Sequence, residues 1–449
     1  MQRSQLALQL LLALGLIVRV VMGCLQPDDL LADRDGYLAH AKPVAAGAGF
    51  LGPYTDRPTA FRPPGYPVLL GVLMACGLSD STAVIIISLV SYIVIFAMTR
   101  TLALQFEIDH RWSLLAVLGV VLDPLLIRYS ILPMTEVPCA AILLAAVVAF
   151  ERFFSDGSTR NGRSIRIGIF TGVLFGIGTL FRPVVMIVCA FLTLDAIRRQ
   201  LKRSSTSTLT STAATSTAAA SMSRVRGLLH AILPAIVAGL VLSPWIIRNA
   251  MQFRHFIPAT THGGYTLALG NNPDFYRDVI NGTDEFPWDG SALDAWQKRM
   301  IAECESEAIV VSSEPAVDAW YYSRASAAIR TEPASFLKAT LLRLRRFWAI
   351  STADPSAGNA LSISLVMVWY IVLWTGLILQ IGQACFGNKS TQLRSMANLW
   401  LAILAFLVMH SAYWTDTRMR APLMPIMIVI SVSGWQSAST YLRRGVVMR

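Results

Sequence analysis

Two aspartates, Asp33 and Asp35, flank an arginine in "LADRDGYLAHAKPV", and Tyr37 follows them. Further charges recur beside apolar runs: Arg62 in "FRPPGYPVLL", Arg128, Glu136 in "LPMTEVPCAAILL", Arg182 in "GTLFRPVVMIV" and Arg248 in "SPWIIRN". The last group is His410, Asp416, Arg418 and Arg420 in "HSAYWTDTRMRAP". Together these residue types have a chemistry. Arginine forks match phosphate oxygens bidentately and stay charged under all conditions. A carboxylate beside a bound phosphate can act as a general base if it reaches the proton it must remove. For any one of these residues the alternative is a charge that ends a helix in water. Glu136 and Arg182 fit that alternative poorly. A charge facing lipid at mid-depth costs about 2.5–3.5 kcal/mol on insertion scales, so a partner or a watery cavity is the expected setting.

Composition says what must position them. The chain has 449 residues, 54% hydrophobic and 14% charged, where a soluble protein is about a quarter charged. Mean hydropathy is +0.54. Apolar runs of roughly 17–25 residues recur, each long enough to cross a bilayer core. The reading is an all-α polytopic membrane protein. A net charge of +11 raises nucleic acid as a partner, but no basic face with interleaved stacking aromatics accompanies it. Six cysteines lie mostly in or beside apolar segments and show no metal-ligand or disulfide spacing.

Hydropathy places about ten spans, at 5–24, 81–100, 112–128, 134–151, 165–181, 183–197, 228–247, 361–383, 397–413 and 421–440. The stretch 65–78 is too short to span and reads as a re-entrant or interfacial helix. Lys and Arg without acidic neighbours collect in alternate loops, so the positive-inside rule puts both termini in the cytoplasm. All the residues named above then lie near the outer surface. Three parts follow: an N-terminal membrane module, 1–248, a loop domain on the outer face, 249–360, and C-terminal membrane helices, 361–449. The first part contains a catalytic first outer loop, 25–64, and a Ser/Thr/Ala-rich cytoplasmic linker, 198–227, read as flexible and without chemistry.

The succession "DRDGYLAHAKPVAAGAGF", "FRPPGYPVLL", "ILPMTEVP", "FRP", "SPWIIRNAMQFRHFIPATTHGGYTLALGNNP" and "HSAYWTDTRMRAPLMPIM" resembles the membrane glycosyltransferases of the C-type (GT-C) fold. The branch it resembles comprises the polyprenyl-phosphate-sugar-dependent enzymes related to protein O-mannosyltransferases. Lipid A aminoarabinose transferases and RgtA/B/C/D-like galacturonosyltransferases belong to the same group. The resemblance runs from Asp33 to Pro425, carried by the order of the motifs rather than by any one of them.

What the resemblance implies is a transferase moving a sugar from a polyprenyl-phosphate donor to a glycan, lipid or protein acceptor. The chemistry would be inverting, on the extracytoplasmic face of a plasma or inner membrane. The family's acidic residue four positions before an aromatic falls on Asp33, the first choice of base, with Asp35 the runner-up. Arg62, Arg418 and Arg420 match the family's basic positions for the donor phosphate, and Arg248 and Arg182 are weaker candidates. Glu136, Tyr37 and His410 would orient substrate. His410 and the carboxylates are also where a divalent metal could bind. Some relatives carry an acidic residue just before the basic-Pro-Pro motif, but here that residue is Phe61, so no metal is assigned. The competing reading is a lipid-linked sugar transporter that binds phosphate and transfers nothing, although no internal repeat of the transporter kind is visible.

Overall fold

The computed structural model describes residues 2–53, 55–155, 162–210, 217–282, 290–307, 313–351, 360–386 and 396–447. Side chains are described there except at 2–3, 155, 203–210, 217–221, 223, 384–386 and 444–447. Among the described residues the chain is helical, with a single isolated bridge between Leu51 and Pro58.

Helix α1 (Gln2–Leu25) leads into a loop carrying α2 (Tyr37–Ala45) and α3 (Gly65–Ala75). Then come α4 (Asp80–Gln105), α5 (His110–Leu122), α6 (Pro124–Arg128), α7 (Glu136–Ser155), α8 (Gly162–Phe181), α9 (Val184–Thr210) and α10 (Thr217–Phe253). A second region holds α11 (Gly263–Leu269), the short α12 (Pro273–Phe275), α13 (Gly290–Ser306), α14 (Glu314–Thr331) and α15 (Pro333–Phe347). The chain closes with α16 (Ala360–Phe386), α17 (Ala397–Ala412) and α18 (Met424–Val447).

Every expected span falls on a helix. Seven described helices are long and apolar enough to cross a membrane, or eight if the pair α5 and α6, extended to Ile131 and bent by 44°, counts as one. The bend is written in the sequence. Asp123 accepts a hydrogen bond from the Leu126 amide at 3.0 Å, and Pro124, which lacks an N–H, opens α6, so "DP" ends one helix and starts the next. Two expected spans depart from the full-length pattern: α17 is short, and α9 is apolar only over its first half. The stretch read as interfacial is α3.

In the Ser/Thr/Ala tract, read as a linker over 198–227, the described backbone is helical. Helices α9 and α10 run into it from both sides, and only 211–216 lie outside the described residues. Alanine is the strongest helix former, and its density here outweighs the turn preference of serine and threonine. Helix α10 continues to Phe253, past the boundary expected at 248.

Packing follows membrane rules. Gly168, Gly172 and Gly176 repeat every fourth residue on one face of α8, a spacing that lets helix backbones approach closely. A Cβ at Gly172 would sit 2.5 Å from the Pro234 carbonyl, and one at Gly176 would sit 2.5 Å from Val241 Cβ, both on α10. The largest buried cluster joins α7, α9, α17 and α18, whereas α1 exposes Leu6, Leu10, Leu14 and Ile17 on its outside. The second region has a separate aromatic core of Phe275, Tyr276, Trp296, Trp320 and Tyr321. Arg343 of α15 fastens it to the bundle: its Nε donates to the Ser411 carbonyl at the end of α17 at 2.8 Å, and its Nη1 to the Gly270 carbonyl at 2.8 Å.

Candidate active site

A cavity of about 980 Å³ lies between the ends of the membrane helices and the second region. One wall carries Arg34, Asp35, Tyr37, Arg62, Arg182, His410 and Arg418. The opposite wall, from α11, α13 and α14 with the loop after α17, carries His262, Tyr265, Gln297, Glu314, Asp318, Tyr322, Tyr413 and Trp414.

The two aspartates of "DRDGY" have separate jobs. Gly36 adopts φ +76°, the left-handed conformation that glycine takes at little cost, and turns the chain into α2. The Asp33 carboxylate folds back over that turn and accepts from the Leu38 amide at 3.0 Å and the Ala39 amide at 2.8 Å. Both its oxygens cap otherwise unpaired donors of the first helical turn, and Asp33 is not part of the cavity wall. The family-based first choice of base is thus placed as a helix cap. Asp35 faces the cavity instead. Its Oδ2 lies 3.1 Å from Arg418 Nη1 and its Oδ1 3.5 Å from Arg62 Nη2, and Arg62 Nε donates to its backbone carbonyl at 2.9 Å.

Burial pushes the Asp35 carboxyl up, but Arg418 and then Arg62 outweigh it, with smaller help from Arg182, and its pKa is held below the usual range. Asp35 is ionised at neutral pH. Burial and then the Arg62 charge hold His262 well below the usual imidazole pKa, so this ring is neutral. It stands 4.3 Å from the Phe61 ring and stacks on Tyr265 at 5.0 Å.

Each arginine is aimed by local structure. Arg62 precedes Pro63 and Pro64, whose fixed φ restricts the entry into α3, and its guanidinium lies 5.6 Å from the Tyr37 ring centroid. Arg418 and Arg420 share a 3₁₀ turn, Thr417–Leu423, which Asp416 opens by accepting from the Arg418 amide at 2.9 Å. At three residues per turn, side chains two apart point about 120° apart. Arg418 therefore enters the cavity while Arg420 turns away. The Arg420 guanidinium is buried beneath Tyr370 and donates to the Phe347 and Ala349 carbonyls, each at 2.7 Å. Arg248 is also outside the cavity wall. It donates to the Thr59 carbonyl at 2.6 Å and the Phe50 carbonyl at 3.1 Å, bracing the loop that leads to Arg62. Both were candidates for the donor phosphate, and the structure gives both to backbone carbonyls.

Arg182 lines the cavity but is committed to Glu136 at 2.8 Å, with Thr135 Oγ1 at 3.3 Å and Met419 Sδ at 3.0 Å. Glu136 itself is 1% exposed and lies behind Arg182 rather than on the wall. Tyr37 and His410 are both on it. Arg128 pairs with Asp29 away from the cavity. Residue-level reading of the sequence passed over Arg34 and the whole opposite wall. Glu314 Oε2 accepts from the Ala60 amide at 2.8 Å and Thr261 Oγ1 at 2.9 Å, and Asp318 Oδ1 from the Gly264 amide at 2.6 Å. The signal for this wall was the "THGGY" segment ahead of α11, since glycine at 264 brings that backbone against Asp318.

Among the described residues, no three His, Cys, Asp or Glu side chains are gathered as metal ligands. The Asp35 oxygens are already taken by arginines, so this donor set does not fit a divalent ion.

Residues 61–223 match the family model described as dolichyl-phosphate-mannose-protein mannosyltransferase. No curated protein sequence matches the chain. Among solved structures it is similar to the archaeal oligosaccharyltransferase AglB of Archaeoglobus fulgidus. With the complex containing an inhibitory peptide and a dolichol-phosphate, the TM-score is 0.53 at 12% identity, over 98% of this chain and 51% of that one. With the apo form of the Archaeoglobus fulgidus oligosaccharyltransferase it is 0.54 at 13% identity, over 98% and 51%. The form with Zn and sulfate gives 0.53 at 14%, over 98% and 50%. The chain thus spans about half the length of these structures. At this identity the likeness concerns the fold. This is an integral membrane protein with the GT-C fold, which over residues 61–223 carries the sequence pattern of the mannosyltransferase family.

Proposed function

We propose that the protein is an inverting glycosyltransferase that moves a sugar from a polyprenyl-phosphate donor to an acceptor hydroxyl on the extracytoplasmic face. The observation that carries this reading is Asp35 held between Arg62 and Arg418 on the wall of a 980 Å³ cavity. The acceptor oxygen attacks the anomeric carbon as the bond from that carbon to the phosphate oxygen breaks. The electron pair goes to the phosphate, where Arg62 and Arg418 stabilise the growing charge. The proton goes to Asp35. One displacement with one base inverts the anomeric centre.

The opposite wall suits a saccharide. Tyr265, Tyr322, Tyr413 and Trp414 offer aromatic faces, and Glu314 and Asp318 offer acceptors for hydroxyls. The dolichol-phosphate bound by the archaeal structure supports a lipid-phosphate donor. Orientation is argued from charge. The helix ends on the other side of the bundle carry Arg152, Arg163, Arg166, Arg198, Arg199, Arg224 and Arg226, which supports the reading that this side, with both termini, is cytoplasmic.

The test is reconstitution in proteoliposomes with a panel of labelled polyprenyl-phosphate sugars and glycan, lipid and peptide acceptors. Label transferred with inverted anomeric configuration is the expected result. Donor crossing the bilayer with its sugar–phosphate bond intact would establish the transporter reading instead.

A further inference from the structure

We propose that Asp35 competes with the donor phosphate for Arg62 and Arg418, so that the base is released only when the phosphate arrives and reclaims the arginines to expel the spent lipid. The inference rests on the glycosyl-transfer reading above and adds an order of events to it.

The geometry leaves little choice. Asp35, Arg62 and Arg418 have side chains only 18%, 17% and 23% exposed, and all three face the same cavity. Asp35 presents one carboxylate oxygen to each guanidinium, the arrangement a phosphate would adopt between the same two forks. Charge makes the competition mutual. Arg62 and Arg418 are balanced by Asp35 and by Asp416, which lies 3.4 Å from Arg418. Of the other charges lining the cavity, Arg182 is neutralised by Glu136, and the single positive charge of Arg34 is outnumbered by Glu314 and Asp318. A phosphodiester entering this balanced cluster brings an uncompensated negative charge unless Asp35 gives way. Once displaced, the carboxylate loses the two cations that hold its proton affinity down and becomes the stronger base that the reaction needs.

The balance closes through the cycle. The acceptor oxygen–carbon bond forms, the carbon–phosphate oxygen bond breaks, and the phosphate gains one negative charge as Asp35 takes the proton. Protonated Asp35 is neutral and no longer competes, so both arginines hold the dianionic product. Loss of that proton to water restores the competitor, and the product is pushed out. Asp35 is thus both the proton acceptor and the device that limits product retention.

The experiment measures binding of a short-chain polyprenyl phosphate to the purified full-length protein in detergent, for wild type, Asp35→Asn, Asp35→Ala and Arg62→Ala. Thermal melting without ligand shows that each variant is folded. Removing the competing charge is expected to tighten binding about tenfold or more in both Asp35 variants, because an opposing charge within a few ångströms is worth at least that at the effective dielectric of a protein surface. Arg62→Ala is expected to weaken binding. Wild-type affinity in both Asp35 variants, with weakened binding in Arg62→Ala, overturns the competition and leaves the phosphate site standing. Binding that is unaffected by Arg62→Ala, or absent from wild type, overturns the phosphate site and the competition with it.

Discussion

Arg418 and Asp35 are 383 residues apart in the chain and 3.1 Å apart in the structure. The contact joins the first loop to the turn ahead of the last helix. It also separates Arg418 from Arg420, two residues on, which spends its charge on the Phe347 and Ala349 carbonyls. Substituting the two arginines should give different signatures. Arg418→Ala is expected to raise the donor KM by tenfold or more, and to lose stability as well because Asp35 and Asp416 lose a partner. Arg420→Ala is expected to destabilise by roughly 1.5–3 kcal/mol per lost charge-assisted bond and to leave donor KM near wild type. Steady-state kinetics beside thermal melting in detergent decide it.

Glu136 and Arg182 make a second pair, at the end of two membrane helices. Glu136→Gln leaves the Arg182 charge buried beside a neutral partner and should cost about 3–5 kcal/mol, the range for breaking a buried ion pair. The double variant Glu136→Gln, Arg182→Met should recover a large part of that loss, because no unpaired charge remains. Equal melting temperatures for wild type and Glu136→Gln would show that the pair contributes nothing.

The pH dependence has two parts of the same sign, each a loss of stability as pH falls, in different pH ranges. The Asp35 carboxyl is held below its ordinary range by Arg418 and Arg62 against the effect of burial. Its ion pairs therefore stabilise fully above that range, and the contribution is lost as pH falls through the depressed value. His262 is held well below the ordinary imidazole value by burial and Arg62. The unfolded chain then takes up a proton that the folded chain refuses, and stability declines as pH falls below about 6.5. Melting temperature between pH 7 and pH 5 should thus fall less steeply in His262→Gln than in wild type. The same slope in both would remove His262 as a source.

Much of this was legible in the sequence. Apolar runs gave the helices because a bilayer demands about twenty such residues per crossing. Glu136 and Arg182 stood out as charges that lipid would not tolerate alone, and they pair with each other. The choice between Asp33 and Asp35 was not legible. Both are aspartates in one short loop, and the left-handed turn at Gly36 decides which one reaches back to cap α2. Arg420 was not separable from Arg418 in the sequence for a related reason: a 3₁₀ turn, unlike an extended loop, sends alternate residues to different sides. The aromatic wall was invisible at the residue level because α11, α13 and α14 come together only through tertiary packing around Trp296 and Tyr321. On either side of residues 211–216 the linker tract is helical, where alanine content favours helix over the serine and threonine pattern.

Sugar transfer from a labelled polyprenyl-phosphate donor, measured for Asp35→Asn and Asp33→Asn side by side, separates the base from the helix cap. Loss of a positioned general base typically costs 10²–10⁴-fold, whereas loss of a helix cap costs about 1 kcal/mol of stability. Asp35→Asn is therefore expected to lose transfer by about 10²-fold or more while remaining folded at the assay temperature. Asp33→Asn should melt earlier and keep a large part of its turnover at low temperature. Full activity in Asp35→Asn together with its loss in a still-folded Asp33→Asn would contradict the account and return the base to Asp33.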